Sequence, residues 1–169
     1  MEVVEIGPLT ANVRAELEGG EHDPFEVGGT ELQFRPKDRH VVLRDDDGRL
    51  VASAGLLVVE ADVAAERIPV VGFGGVIVNF EHRGRGLGRE VVQAALARAR
   101  TLGPDFALLF CLPSRAGLYR RLGFSRIPPP VSVEQPDGLA EMPLHTMWHP
   151  LAPDATWPAG PVVLRSLPF

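Results

Sequence analysis

The chain is poor in several residues that carry covalent or acid–base chemistry: its 169 residues include one cysteine, one lysine and one tyrosine. The lone Cys111 has no internal disulfide partner and excludes a cysteine-rich metal site. No segment approaches the ~20 consecutive apolar residues that a membrane-spanning helix needs. The opening residues, Met1 to Thr10, carry Glu2 and Glu5 instead of a basic, apolar signal segment. These absences lead us to expect a cytoplasmic protein with no membrane partner and no metal. Positive charge is also short, with 17 Lys and Arg against 22 Asp and Glu and a net charge of -5. That balance argues against sequence-independent nucleic-acid binding, which depends on many basic contacts to phosphate. Sixteen of the seventeen basic residues are arginine, Lys37 being the exception. Together with abundant Gly, Pro and Ala, this bias suggests a GC-rich bacterial genome.

What is present is ordinary for a globular chain, 45% apolar and 23% charged. A chain of this length buries about 70% of its unfolded surface, enough for a core without disulfides or metal. We expect one domain over 1–169, with an ordered C-terminal tail from about residue 151 and no internal repeat.

Val3 to Ile6 reads as a short strand, and Thr10 can cap a helix from Ala11 to Leu17. Residues 18–31 read as a surface loop with one more helical turn. Arg39–Arg44 and Arg49–Glu60 form a hairpin around Asp45-Asp46-Asp47-Gly48. A second turn, about Ala61 to Arg67, leads into Ile68–Val78, whose lack of charge fits a strand buried on both faces. From Leu87 the apolar period changes to that of a helix, through Val91, Val92, Ala95, Leu96, Ala99 and Leu102, ended by Gly103-Pro104. Phe106–Cys111 is a buried strand, and Pro113–Leu122 a second helix closed by Gly123. The intervening helix makes the two strands parallel. The fold class is therefore α/β (α+β): a mixed central sheet flanked by helices, with an early antiparallel hairpin and a helix-joined parallel pair. Beyond Arg126 the chain is proline-rich, with one further strand near Met142–His149. The tail from Trp157 to Phe169 is too apolar for disorder, and its prolines predict that it lies across the surface, outside the sheet.

A strand that feeds a glycine-rich turn and then a helix suits an anion. Glycines admit the backbone to a phosphate, and the free N–H groups and helix dipole favour negative charge. Arg83, Arg85 and Arg89 add guanidinium groups that suit phosphate oxygens. The spacing is not that of a P-loop, for no Gly-Lys-Ser/Thr follows. Nor is it a dinucleotide fingerprint, because Gly84-Arg85-Gly86-Leu87-Gly88 lacks the two-residue gap before its third glycine.

The segment resembles the Gcn5-related N-acetyltransferase (GNAT) family. The family's Arg/Gln-x-x-Gly-x-Gly/Ala signature is matched by Arg83, Gly86 and Gly88 after the strand Val76-Ile77-Val78. Its Tyr-x-x-x-Gly-Phe is matched by Tyr119, Gly123 and Phe124. The resemblance covers about Ile68 to Phe124. It implies acetyl-CoA as co-substrate, with the backbone of Val76-Ile77-Val78 pairing the pantetheine arm. The pyrophosphate would sit in Arg83-Gly84-Arg85-Gly86-Leu87-Gly88. It places Tyr119 as general acid for the departing thiolate, and Ser114 where relatives often have an Asn that binds the arm. Relatives often carry a base on the central strand, but Ile68–Val78 has no ionisable side chain. Glu60, Asp62, Glu81, His145 and His149 are the alternatives. A covalent route through Cys111 is rejected, since no histidine can be placed beside it.

The resemblance further implies an acceptor with a primary amine. Acidic residues cluster at Glu16, Glu18, Glu21, Asp23, Glu26 and Glu31, and again at Glu60, Asp62 and Glu66, which predicts a cationic small molecule such as a polyamine or aminosugar. The late segment has a fainter likeness to aminoglycoside 2'-N-acetyltransferases. The alternatives are a protein or peptide N-acetyltransferase, which requires an open groove, and a non-catalytic acyl-CoA-binding module, which retains no need for Tyr119. A homodimer is compatible with the sequence. We also expect the tail from Trp157 to Phe169 to close the acceptor side of the site.

Overall fold

The computed structural model describes residues 1–169. Ten strands form one sheet: β1 (Glu2–Ile6), β2 (Arg39–Arg44), β3 (Leu50–Val63), β4 (Glu66–Val78), β5 (Phe106–Cys111), β6 (Ser125–Ile127), β7 (Val131–Gln135), β8 (Gly138–Glu141), β9 (His145–Pro150) and β10 (Val162–Leu164). The helices are α1 (Ala11–Glu18), α2 (Leu87–Ala99) and α3 (Ala116–Arg121). The strand order is β6-β9-β5-β4-β3-β10-β7-β8, with β1 and β2 as a branch on β3. The long β3 takes two partners along one edge: β2 beside residues 50–56, and β10 beside Ala61–Val63. β4 and β5 are parallel, as the crossover helix requires.

The apolar stripe of α2 (Val91, Val92, Ala95, Leu96 and Ala99) packs on one sheet face against Val51, Phe73 and Leu109. The opposite face is filled by Val70, Leu108, Val133, Leu164 and Phe169. α1 is capped by the Thr10 hydroxyl, which accepts from Val13 N at 3.3 Å. Its Leu17 covers Val42, Leu50 and Ile77.

Four expectations need correction. Residues 19–38 contain no helical turn. The Asp23 carboxylate accepts from Val27 N and Gly28 N at 3.2 and 2.9 Å, so local side-chain bonding favours tight turns there. The second hairpin is tighter than expected: only Ala64 and Ala65 turn, both at positive φ (49° and 66°). An Ala-Ala pair carries no turn signal, although its geometry is that of a type I′ hairpin. The proline-rich region holds β6, β7 and β8 as well as β9, and its prolines lie between these strands except Pro150, the last residue of β9. The tail does not stay outside the sheet either. Val162–Leu164 inserts between β3 and β7 as β10. Pro161 precedes that three-residue strand, so no proline N–H is missing from its ladder.

Candidate active site

The site begins at a defect in β4. Ser53 pairs with Ile77 and Gly55 with Gly74, so Gly75 and Val76 together oppose the single residue Ala54. Gly75 has φ +58°, the left-handed geometry of such a bulge. The extra residue reverses the alternation of faces. Phe73 lies with the α2 core before the bulge, and Val76 and Val78 pack there after it. β4 pairs with β5 only from Val71 to Phe73, so the β5-facing edge of residues 74–78 has no strand partner.

A cleft of about 630 Å³ opens where the two strands part. It is lined by Val76, Ile77 and Val78, by Arg83, Gly84, Gly86, Leu87 and Gly88, and by Tyr119. Two residues named with these from the sequence, Arg85 and Ser114, are exposed and do not line the cleft.

Gly86 is the N-cap of α2 at φ +81°, and no side chain caps the helix. The first N–H groups of α2 therefore remain available to an anion at the cleft floor. A Cβ on Gly86 would meet nothing within 4 Å, so its requirement is conformational and leaves open space above the backbone. Arg83 donates from Nε to the Val78 carbonyl at 3.1 Å and pairs with Glu21, Nη1 lying 3.0 Å from Oε1.

Tyr119 is buried against Phe124, with ring centroids 5.7 Å apart. Burial pushes its phenol well above the usual range, with the nearby Cys111 acting in the same direction. The Cys111 thiol is itself pushed up to about 11 by burial, and its Sγ contacts Met147 Sδ at 3.8 Å. A thiol held protonated in this way is a poor nucleophile.

None of the other base candidates reaches the cleft lining. Glu60 and Glu81 are exposed, and Asp62 is held by Arg67 and Arg165 at 2.8 and 2.7 Å. His149 Nδ1 is 2.6 Å from the Pro150 carbonyl, and His145 lies on β9. The acidic rim also differs from expectation. Of the early acidic residues only Glu26 lines the cleft, whereas Arg14, Arg35, Lys37, Arg83 and Arg115 all do. Glu16 accepts from Leu50 N, Glu18 pairs with Arg14 and Glu21 with Arg83, so local bonding consumes the carboxylates.

A second wall of the cleft is made by the early loop and the tail. Arg35 N donates to the Pro168 carbonyl at 2.8 Å, and Gln33 N to Gln135 Oε1 at the same distance. Phe169 is buried and lines the cleft, tilted on Phe110 at 5.2 Å. Gly72 makes room for it, since a Cβ there would come within 2.6 Å of the ring. Lys37 enters the same wall, and sequence reading assigned it no role. The available signal was its being the only lysine in a chain whose central strands carry Gly55, Gly74 and Gly75.

Residues 25–127 match the family description "Acetyltransferase (GNAT) domain", more than half of the chain. The chain belongs to the GNAT family. A curated relative, glucosamine 6-phosphate N-acetyltransferase 1 of Oryza sativa subsp. japonica, is 36% identical over 104 residues. That match covers 60% of this chain and 62% of the relative, so the chain spans less than two thirds of the relative's length. Among solved structures, the GNAT family N-acetyltransferase YhbS from Escherichia coli, in complex with CoA, superposes with a TM-score of 0.60 at 21% identity. The likeness covers 96% of this chain and 89% of that one. A GNAT family acetyltransferase from Brucella melitensis, in complex with acetyl-CoA, gives 0.54 at 16% identity, over 95% and 94%. At these identities the two structures establish the fold, and the mixed sheet with flanking helices is that of the GNAT family. No helix of the chain is long and apolar enough to cross a membrane.

Proposed function

We propose that this GNAT protein transfers the acetyl group of acetyl-CoA to a primary amine of a small molecule that also carries an anionic group. The observation that carries the reading is the cleft where β4 leaves β5. An unpaired strand edge, a positive-φ glycine loop at an uncapped helix N-terminus and a buried tyrosine all meet there. These residues fit acetyl-CoA, which supplies an acetyl group activated as a thioester. The free edge of Val76–Val78 offers backbone groups to an extended amide-bearing arm. The loop at Gly84 and Gly86, with the first turn of α2, offers N–H groups to the pyrophosphate. Arg83 can exchange Glu21 for a phosphate oxygen, since the pair is partly open to solvent and the guanidinium fork suits either anion. Tyr119 keeps its proton at neutral pH and is suited to give it to the departing sulfur.

The anionic group in the acceptor is inferred from the lining. Arg14 and Arg35 stand on the acceptor side, and Glu26 is the one carboxylate side chain among the lining residues. Such a wall disfavours a polyamine and favours an amine bearing phosphate or carboxylate. The curated relative named for glucosamine 6-phosphate supports the same class.

The reading is tested by thermal unfolding with acetyl-CoA, followed by acetyl-CoA consumption across amines. A ligand held only by the folded state raises the midpoint. Gly86→Val should abolish the rise, because a β-branched residue resists φ +81°. Glucosamine 6-phosphate should be consumed faster than glucosamine, and polyamines least. An unchanged midpoint at millimolar acetyl-CoA overturns the reading.

A further inference from the structure

The side chain of Lys37 crosses the sheet in a groove that glycines make. Gly55 and Gly74 pair across β3 and β4. A Cβ at Gly55 would fall 2.6 Å from Lys37 Cγ, and one at Gly74 would fall 2.6 Å from Cε. Any other residue at either position would evict the stem. The amine emerges beside the bulge: Nζ is 3.5 Å from the point a Cβ of Gly75 would occupy. It thus stands on the cleft wall, one residue before the free edge at Val76.

The side chains around it do not hold a cation there. α1 contributes Arg14 and Glu18, and the Glu18 carboxylate is paired with Arg14 at 3.8 Å. Arg35 belongs to the same loop as Lys37 and is also positive. From β2 comes His40, buried, with Nδ1 3.2 Å from Ser53 Oγ of β3 and a ring that burial keeps neutral. From the tail comes Phe169, the last residue of the sequence, whose main-chain carbon and oxygen share the space above Gly74 with Lys37 Cε. Desolvation first, and then Arg14, lower the Lys37 ammonium to about 8. Lys37 is half-buried, and a lysine lowered this far keeps a neutral fraction near physiological pH that can accept a proton.

We propose that Lys37 is the general base of this cleft, its neutral amine taking the proton that the acceptor ammonium must lose before its nitrogen can attack. The inference rests on the acetyltransferase reading above. The N–H bond of the ammonium breaks and the proton binds the lone pair of Nζ, which later releases it to solvent. The freed nitrogen pair forms the C–N bond as the C–S bond breaks. The second proton that this nitrogen loses balances the one Tyr119 gives to sulfur. The products are an acetamide, CoA thiol and one proton.

A single lysine makes the test direct, because protein labelled with carbon-13 at lysine Cε shows one Lys resonance. It should titrate near pH 8 instead of 10.5, and move on addition of acetyl-CoA. Lys37→Met and Lys37→Arg should lower kcat on glucosamine 6-phosphate, or on the amine consumed fastest, by roughly 10²- to 10⁴-fold. Both should keep the acetyl-CoA thermal shift. The native rise of kcat/KM with pH, with its inflection near 8, should vanish in Lys37→Met. A resonance that titrates at 10 or above overturns the proposal, as does full turnover in either variant. An acetyl group found on Lys37 by intact mass after incubation with acetyl-CoA also overturns it, for the amine would then be a nucleophile. Loss of the thermal shift in native protein is a separate result: it removes the acetyltransferase reading and the base with it.

Discussion

The two walls of the cleft are built on opposite plans. The wall proposed for the cofactor comes from one continuous stretch, β4 through α3, in which each element follows its neighbour in sequence. The wall proposed for the acceptor joins residues 33–37 to residues 166–169, segments more than a hundred positions apart, through Arg35 N to Pro168 O and the meeting of Lys37 and Phe169 over Gly74. The first wall presents mainly backbone, whose shape glycines and a helix start determine. The second presents side chains. Chemistry shared by relatives belongs on the first, and selectivity for one acceptor on the second.

The largest expected effect sharpens that division from the cofactor side. Tyr119→Phe keeps the ring that packs on Phe124 and removes only the hydroxyl. Turnover should fall roughly 10²- to 10⁴-fold with acetyl-CoA affinity intact. Full turnover, measured as free thiol released, would remove Tyr119 from the chemistry.

Phe169→Ala probes the other wall. The ring is buried over Gly72, and its loss should cost about 3–5 kcal/mol of stability. The midpoint rise with acetyl-CoA should persist while acceptor KM increases. An unchanged KM in a folded variant would make Phe169 a filler of the second core and nothing more.

The same contrast explains what was legible. The helix from Leu87, the glycine loop and the parallel pair follow from local period and composition, and the structure has them, although the helix ends at Ala99, short of the expected Leu102. The resemblance at Arg83, Gly86, Gly88, Tyr119, Gly123 and Phe124 rests on spacing within that same stretch. Nothing local announces that Val162–Leu164 enters the sheet, because the vacancy is made by β3 outrunning β2. Nor does any local pattern say that Gly55 and Gly74 exist for Lys37. The acidic count misled for a related reason: composition counts carboxylates, whereas the fold decides which of them already have partners. Glu16, Glu18 and Glu21 do.

A pH experiment addresses the acceptor wall as a whole. His40 is buried beside Lys37, and burial lowers its imidazole to about 4, with Lys37 and Arg14 contributing. The unfolded chain binds this proton from about pH 6.5 downward, while the folded chain resists it to about pH 4. Stability is therefore lost as pH falls through that window, by about 3 kcal/mol. Lys37 has the same sign higher up, where the cost of its charge is relieved as pH rises from about 8 to 10.5. Urea midpoints should fall steeply between pH 6.5 and 4, and His40→Gln should flatten that slope. An equal slope in both proteins would assign acid sensitivity to other groups.

The smallest effect concerns the boundary between what spacing implies and what geometry allows. By position, Ser114 stands where relatives often bind the pantetheine arm. Here it lies on the single turn Pro113–Arg115 ahead of α3, exposed and outside the cleft lining, although its neighbours Leu112 and Arg115 line it. A serine side chain ends one atom beyond Cβ, so it cannot reach back as an arginine can. Ser114→Ala should therefore change the acetyl-CoA Kd by less than about twofold, within the ±0.5 kcal/mol typical of surface substitutions. Arg85→Ala provides the contrast. Arg85 is equally exposed, but it sits between Gly84 and Gly86 with a long charged side chain, and should weaken acetyl-CoA more than Ser114→Ala does, and more at low salt than at high salt. Isothermal titration at two ionic strengths separates them. A tenfold loss for Ser114→Ala would mean that the turn at 113–115 closes over the ligand, and that the cofactor wall, too, depends on a contact the ligand-free arrangement does not contain.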